Sequence, residues 1–129
     1  MGSLKTIYVA AIAMLATYGT AVDGRPVDPL TRSLAYCTGR LSAQMEFQWL
    51  ISDPASRRTE AQLSAMITLL DSIIEPDRKP DVMHLRISAK MAHSALLTRA
   101  HFSQDSDIAL HAHRRATSEI GTCLSLMLS

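Results

Sequence analysis

The feature that most constrains the fold is the recurrence of apolar residues at steps of three and four along most of the chain. This spacing places side chains on one face of an α-helix, whereas a half-buried strand needs strict alternation, which no long stretch of the sequence has. Between Leu30 and Ile51 the recurring residues are Leu30, Leu34, Cys37, Leu41, Met45 and Trp49. The spacing predicts a first helix with Trp49 facing the core and Phe47, about 160° away around the helix axis, facing the surface.

The next apolar stripe predicts a second helix that reaches about Ile74. Asp53 is a good N-cap residue, and Pro54 suits the first helical position, where its missing N–H group costs nothing. The segment EPDRKPD, from Glu75 to Asp81, ends this helix because two prolines bracket its charged residues. The stripe of the second helix consists of Leu63, Met66, Ile67, Leu70, Ile73 and Ile74.

Two more stripes predict a third helix over about 79–102 and a fourth over about 106–128, separated by the segment SQDSD at 103–107. The third stripe consists of Val82, Leu85, Ala89, Ala92 and Leu96, and the fourth of Ala109, Ala112, Ala116, Ile120, Cys123 and Met127. The residues expected to fill gaps in the core are Met66, Met83, Met91 and Met127. Helices with such short connections predict an all-α fold, an antiparallel up-down-up-down four-helix bundle over residues 30–129.

The two cysteines of the chain fit this topology. Cys37 lies near the start of the first helix and Cys123 near the end of the fourth, and these two helix ends meet at one end of such a bundle. Each cysteine is a similar number of residues from that end and lies on the apolar stripe of its helix. We therefore expect a structural Cys37–Cys123 disulfide between the first and last helices.

The N-terminal residues are typical of a secretory signal peptide. Lys5 provides the basic start, the apolar run TIYVAAIAMLATYG follows, and the small residues Gly19 to Ala21 form a cleavage site. The run is too short and wrongly flanked to remain as a membrane anchor. We predict that residues 1–21 are removed, that residues 22–29 form a flexible leader, and that the protein is periplasmic or secreted, where a disulfide can persist.

Composition and motifs argue against several functions. The chain carries 13 Lys and Arg residues against 12 Asp and Glu residues and has no basic stripe for a phosphate backbone, so nucleic acid is not expected as a partner. It has no C-x-x-C-H sequence for covalent haem, no G-x-S-x-G sequence and no glycine-rich phosphate loop. Glu46 lies on a polar face, and Glu119 follows Arg115 at the spacing of a surface ion pair. We expect no catalytic residues and predict that the protein is not an enzyme.

The histidines near the turn between the third and fourth helices are the candidate ligands for a metal ion or cofactor. His101, Asp105 and His111 could bind zinc or copper across this turn. His113 cannot join His111 on one metal ion because the two lie about 200° apart around the helix; His113 is expected toward the core and His111 toward solvent. Non-covalent haem held by Met45 and His113 is a further alternative, and in architecture alone it resembles the b-type cytochrome bundles. Our expectation is that these histidines are solvated and that no cofactor is bound.

The sequence favours a small exported binding or interaction module, such as an envelope chaperone, an inhibitor or an immunity-type protein. An unidentified protein partner would bind through Phe47 and Trp49, since aromatic residues are enriched at interfaces. The alternative is a metal or haem carrier that uses the end of the bundle with His101, His111 and His113.

Overall fold

A computed structural model describes residues 24–129, so the predicted signal peptide lies outside the described residues. The helices are α1 (Pro29–Leu50), α2 (Ser56–Ile73), α3 (Lys79–Phe102) and α4 (Ser106–Leu128), and one turn of 3-10 helix (Pro76–Arg78) precedes α3. These elements make up all the regular structure of residues 24–129, which confirms the all-α fold and the four helical segments. The predicted bounds of the third and fourth helices are confirmed.

Aspartate side chains begin two of the helices. The Asp28 carboxylate accepts a hydrogen bond of 2.9 Å from the backbone N–H of Thr31 at the start of α1. Asp105 does the same for α4, accepting from Asp107 at 2.9 Å and from Ile108 at 3.2 Å. Each cap satisfies N–H groups that the first turn of a helix leaves without a partner. The cap at Asp105 explains why the chain breaks between α3 and α4 without a glycine or a proline.

The predicted start of α2 is wrong by two residues. The carboxylate of Asp53 accepts from the N–H of Ala55 at 2.9 Å, and its carbonyl accepts from the N–H of Ser56 at 3.1 Å. These hydrogen bonds form a turn over residues 53–56, so α2 begins at Ser56 with Ala55 as its N-cap. Pro54 is therefore part of the turn and not the first residue of the helix.

Residues 25–28, from the segment predicted to be a leader, contact the helical domain. The guanidinium of Arg78 donates a hydrogen bond of 2.6 Å to the carbonyl of Arg25, and Arg32 donates one of 2.9 Å to the carbonyl of Val27. The Val27 side chain packs against the core. The turn before α3 and the start of α1 thus both hold this segment.

Helix α1 contributes more residues to the core than any other helix in residues 24–129. It packs against α2 and α3 along its length and contacts α4 more narrowly. The main core consists of Leu34, Ala35, Cys37, Leu41, Met45, Leu63, Met66, Leu70, Val82 and Cys123. A smaller core between α3 and α4 consists of Leu96, Leu97, Ala112 and Ala116.

The predicted disulfide is confirmed and joins α1 to α4. Cys37 and Cys123 are bonded with their Cα atoms 5.3 Å apart and are separated by 86 positions in the sequence. A cross-link over this separation stabilises the folded state by about 4.5 kcal/mol in the chain-entropy treatment, which is an upper figure for most proteins. The bond also indicates that the protein occupies an oxidising compartment.

Several residues predicted to be in the core are exposed instead. They are Leu30, Trp49, Ile73, Met83, Met91 and Ala92. Leu30 and Trp49 lie at the ends of α1, where the neighbouring helices no longer cover that side. On α3 the buried face is turned by one residue, so His93 is buried and Ala92 is exposed.

The backbones of α1 and α3 come into direct contact at Gly39. A Cβ atom on Gly39 would overlap the carbonyl oxygen of Arg86 and lie 2.9 Å from the backbone nitrogen of Lys90. A real Cβ atom essentially never comes that close to another atom, so this crossing requires glycine. Gly121 of α4 is different, because a Cβ atom there would meet nothing within 4 Å.

Helix α1 ends in a Schellman motif that has serine where glycine is usual. The N–H of Asp53 donates to the carbonyl of Gln48 at 2.8 Å, and the N–H of Ser52 donates to the carbonyl of Trp49 at 3.1 Å. The motif requires a left-handed residue between helix and turn, and Ser52 has φ of 57°. A side chain in this region is strained in a way that glycine is not.

We expect Gly39→Ala and Gly121→Ala to change stability in opposite directions. Gly39→Ala should lower the free energy of unfolding by about 2 kcal/mol or more, because α1 and α3 must separate. Gly121→Ala should raise it by about 0.5–1 kcal/mol, because alanine favours a helix without meeting a neighbour. Urea unfolding followed by circular dichroism measures both. Equal effects of the two substitutions would contradict the close crossing.

We expect Ser52→Gly to raise the free energy of unfolding by about 0.5–1 kcal/mol, because it relieves the left-handed strain at the end of α1. The matched control is Ser64→Gly on the exposed side of α2, which should lower the free energy of unfolding by about 0.5 kcal/mol. The same urea titration measures both. If Ser52→Gly lowered stability as much as the control, the assigned strain would be wrong.

Candidate functional site

The structure does not assemble the predicted zinc or copper site. The ring of His101 stacks edge-on against Phe47, with ring centroids 5.4 Å apart. Asp105 uses its carboxylate to cap α4, and His111 lines a groove between α3 and α4. Within residues 24–129 no three His, Cys, Asp or Glu side chains are grouped so that they could hold a metal ion.

The two residues predicted as haem ligands lie in unlike surroundings. Met45 is buried in the main core and lines a surface hollow with residues of α2, among them Leu63. His113 is exposed, so the prediction that it leans toward the core is wrong. Ala112, the preceding residue, occupies the buried face of α4, and one step along a helix turns the side chain by about 100°.

An aromatic cluster joins the last turns of α1 and α3. Phe47 lies 5.4 Å from His101 and 6.4 Å from Phe102, and His101 lies 4.8 Å from Phe102, all between ring centroids and all in edge-to-face geometry. Phe47 is half-buried by these contacts and by the smaller core. The prediction that Phe47 faces solvent and Trp49 the core is therefore reversed, because α1 meets α3 through Phe47 and the opposite side of its last turn is uncovered.

The ends of α1 and α3 carry exposed apolar residues, and together with the half-buried Phe47 we name them the aromatic tip: Phe47, Trp49, Leu50, Ile51 and Phe102. Trp49 is 52% exposed, Leu50 71% and Phe102 59%. Single exposed apolar side chains are ordinary, but several consecutive ones next to an aromatic cluster are typical of an interaction site. Both residues predicted to bind a partner belong to this surface.

A second feature, a buried polar cluster around His93, lies between α1, α3 and α4. The side chain of His93 is fully buried. Its Nδ1 atom lies 3.1 Å from Oε2 of Glu119, and its Nε2 atom lies 3.2 Å from Oε1 of Gln44. Glu119 is also 3.4 Å from Nε of Arg40 and 3.3 Å from Nε of Arg115. The interpretation of Glu119 as the partner of a surface ion pair alone is therefore wrong.

Burial and charge act in opposite directions on the two titratable members of this cluster. Burial lowers the pKa of His93, and the hydrogen bond to Glu119 offsets only part of that effect. Burial alone would raise the pKa of Glu119, but the hydrogen bond from His93 and the charge of Arg40 outweigh it and lower the pKa below its ordinary value. At neutral pH the cluster thus contains a neutral imidazole whose Nδ1–H donates to an ionised carboxylate.

This arrangement holds helices together and leaves little room for catalysis. A neutral imidazole has one N–H donor and one lone pair. The N–H is directed at Glu119, which leaves the lone pair of Nε2 facing Oε1 of Gln44. This lone pair accepts a hydrogen bond only when the amide of Gln44 is rotated by half a turn, so that its NH₂ group takes the place of Oε1. Since His93 is fully buried, a substrate could reach the ring only if Gln44 or Glu119 moved away.

Sequence reasoning missed the cluster, although a signal for it exists. His93 lies four residues after Ala89 and three before Leu96, so it continues the apolar stripe of α3. Glu119 lies four residues before Cys123, on the side of α4 that faces α1. A histidine and a glutamate at core-facing positions of two helices point to a buried pair, since buried polar groups are nearly always hydrogen-bonded.

No protein-family model matches the chain, and neither a curated protein nor a solved structure matches it significantly. No helix between residues 24 and 129 combines the length and the apolar composition that crossing a membrane requires.

The lowered pKa of His93 makes the fold sensitive to acid. As pH falls below about 6.5, the ordinary pKa of histidine, the unfolded chain binds a proton that the folded protein resists binding. Stability should therefore fall between pH 7 and pH 5, by at most about 1.4 kcal/mol per pH unit for this one proton. Glu119 adds a second loss at lower pH, where its carboxylate is protonated.

Urea unfolding at several pH values measures this effect. His93→Gln should flatten the dependence between pH 7 and pH 5, whereas His84→Gln, which replaces an exposed histidine, should leave it unchanged. The assignment is wrong if His93→Gln keeps the slope of the unsubstituted protein.

Proposed function

We propose that this protein is an exported, non-catalytic interaction module that binds a protein partner through the aromatic tip. The observation that carries the proposal is the exposure of Trp49 and Leu50 in the last turn of α1 and of Phe102 at the end of α3. Removing such side chains from water on binding is worth roughly 1.5–3 kcal/mol for each fully buried one. Tryptophan is also among the residues that contribute most to protein–protein affinity.

The charged residues around the tip define the partner further. Arg57 and Arg58 lie in the first turn of α2, which follows the turn after α1, and both are exposed. Within residues 24–129 neither guanidinium has a carboxylate within ion-pair distance. A polar rim around an apolar centre is the usual form of an interface. The partner that fits is a protein with an apolar segment flanked by Asp or Glu residues.

Export is proposed from the N-terminal sequence, with residues 1–21 as a cleaved signal peptide and a periplasmic or secreted location. The Cys37–Cys123 disulfide supports this proposal, because such bonds persist in oxidising compartments and are rare in the cytosol.

The topology we propose is an antiparallel up-down-up-down bundle. Two contacts between α1 and α4 support opposite directions for these helices, because the residue numbers rise in one as they fall in the other. In the contacts between α1 and α3 the residue numbers of both helices rise together, which supports a parallel orientation of these two helices. The supporting pairs are Cys37–Cys123 and Arg40–Glu119 for α1 and α4, and Gln44–His93 and Phe47–His101 for α1 and α3.

A binding role is favoured over an enzyme or a metal or haem carrier. Among residues 24–129 the pKa is clearly shifted at Asp28, which caps α1, and at His93 and Glu119, which bond to each other. His101, the first residue of the proposed carrier site, is stacked within the aromatic cluster. These contacts give each group a structural role.

We expect Trp49→Ser to abolish partner capture while the fold is kept. The envelope fraction of the source organism is passed over the immobilised protein, over the Trp49→Ser variant and over the control Leu69→Ser, which removes an apolar residue of α2 that is 43% exposed. A specific partner should bind the unsubstituted protein and the control but not Trp49→Ser. In the purified pair, the substitution should weaken affinity about 30-fold or more.

Trp49 also provides the readout, because it is the only tryptophan of the chain. Its fluorescence should shift to shorter wavelength when the partner covers it. The proposal fails if the captured proteins do not depend on Trp49. It also fails if sedimentation shows a dimer of the unsubstituted protein that Trp49→Ser dissociates, since the tip would then join two copies of this chain.

A further inference from the structure

A groove of about 460 Å³ separates the last half of α3 from the first half of α4. None of the residues that line it belongs to the aromatic tip. The lining residues are Leu96, Arg99, Asp107, Ile108, His111, Ala112 and Arg115. Its volume is within the range of small-molecule sites, which are concave, mainly apolar and have a few polar groups at fixed positions.

The floor and the wall of the groove are apolar. Leu96 and Ala112 are buried and form the contact between α3 and α4. Ile108, on the first turn of α4, is half exposed and stands at the side of the groove. An aliphatic chain placed here would cover Ile108 and bury its own surface against Leu96 and Ala112, which is favourable in proportion to the apolar area removed from water.

The rim carries an excess of positive charge. The lining contains two arginines, Arg99 of α3 and Arg115 of α4, and one carboxylate, that of Asp107. Arg115 is already 3.3 Å from Oε1 of Glu119. Arg99 has no carboxylate within ion-pair distance among residues 24–129, so its guanidinium is available to a ligand.

We propose that this groove binds a single-chain aliphatic carboxylate, with its chain along Leu96, Ile108 and Ala112 and its carboxylate on Arg99. Guanidinium and carboxylate match in geometry and form paired, charge-assisted hydrogen bonds. Arg115 lies on the same rim, with its guanidinium paired to Glu119. A cationic amphiphile of equal length would meet this rim with like charge, so the charge of the headgroup determines affinity. The proposal is independent of partner binding at the aromatic tip.

Isothermal titration calorimetry at pH 8 tests the site with dodecanoate below its micellar concentration. The comparison ligand is dodecyltrimethylammonium, which has the same chain length and the opposite charge. Dodecanoate should bind one site, and the cationic ligand should bind at least about tenfold more weakly. Arg99→Gln and Ile108→Ser should each weaken dodecanoate binding about tenfold, whereas the matched controls Arg114→Gln and Leu69→Ser, at exposed positions outside the groove, should have no effect. Circular dichroism in the same solutions should show unchanged helix content.

The proposal would be overturned by equal affinity for the two ligands, by no weakening in Arg99→Gln, by absence of binding up to the micellar concentration, or by binding only with loss of helix content. Loss of dodecanoate binding in Trp49→Ser would place the ligand at the aromatic tip and would equally reject the groove. Ile108→Ser replaces a half-exposed residue, so the test does not depend on a variant with a disrupted core.

Discussion

The contact between the backbones of α1 and α3 at Gly39 is the constraint on which the rest of the structure depends. Because no side chain separates the two helices there, α1 lies deep in the domain and is buried on several sides. Helix α2 covers one flank of α1, and α4 reaches α1 mainly near the disulfide. Cys37 lies half a turn before Gly39, so the covalent bond to α4 is made beside this crossing.

The same close packing explains why the interior contains a polar cluster. His93 follows Lys90 by less than one turn of α3, so the crossing at Gly39 carries it inward between three helices. A polar ring in this position costs free energy unless both nitrogens are hydrogen-bonded, and Gln44 and Glu119 supply those partners. Because the hydrogen bonds of such a network form only at particular distances and angles, they favour one rotation of each helix about its own axis over others. This buried cluster makes the fold sensitive to acid, since protonation of His93 adds a charge to a buried site.

Local signals in the sequence predicted the four helices and the prolines that end α2, because apolar periodicity and helix breakers depend on neighbouring residues. The disulfide was predicted from the order of the helices, which places Cys37 and Cys123 at the same end. The sequence was a poorer guide to which side of each helix faces the core. Trp49 and His93 were misplaced or missed because the partners that cover a helix face come from distant segments. The predicted metal ligands His101, Asp105 and His111 lie at one end of the domain. Lying at the same end does not by itself direct their side chains toward one metal ion. His101 stacks on aromatic rings and Asp105 caps a helix, so each is already engaged.

The stabilising contacts and the proposed binding surfaces lie in different halves of the domain. The crossing at Gly39 and the disulfide lie in the first half of α1, with the cluster around His93 following directly. Beyond that cluster the core narrows to a few residues of α3 and α4, and the exposed apolar residues of the tip and the groove are concentrated there. Such a thin core cannot bury these large side chains, so they stay in contact with water unless a ligand or a partner covers them. Since the cross-link and the hydrogen-bonded cluster stabilise the other half, we expect this half to be able to adjust to a proposed partner or ligand without unfolding of the domain.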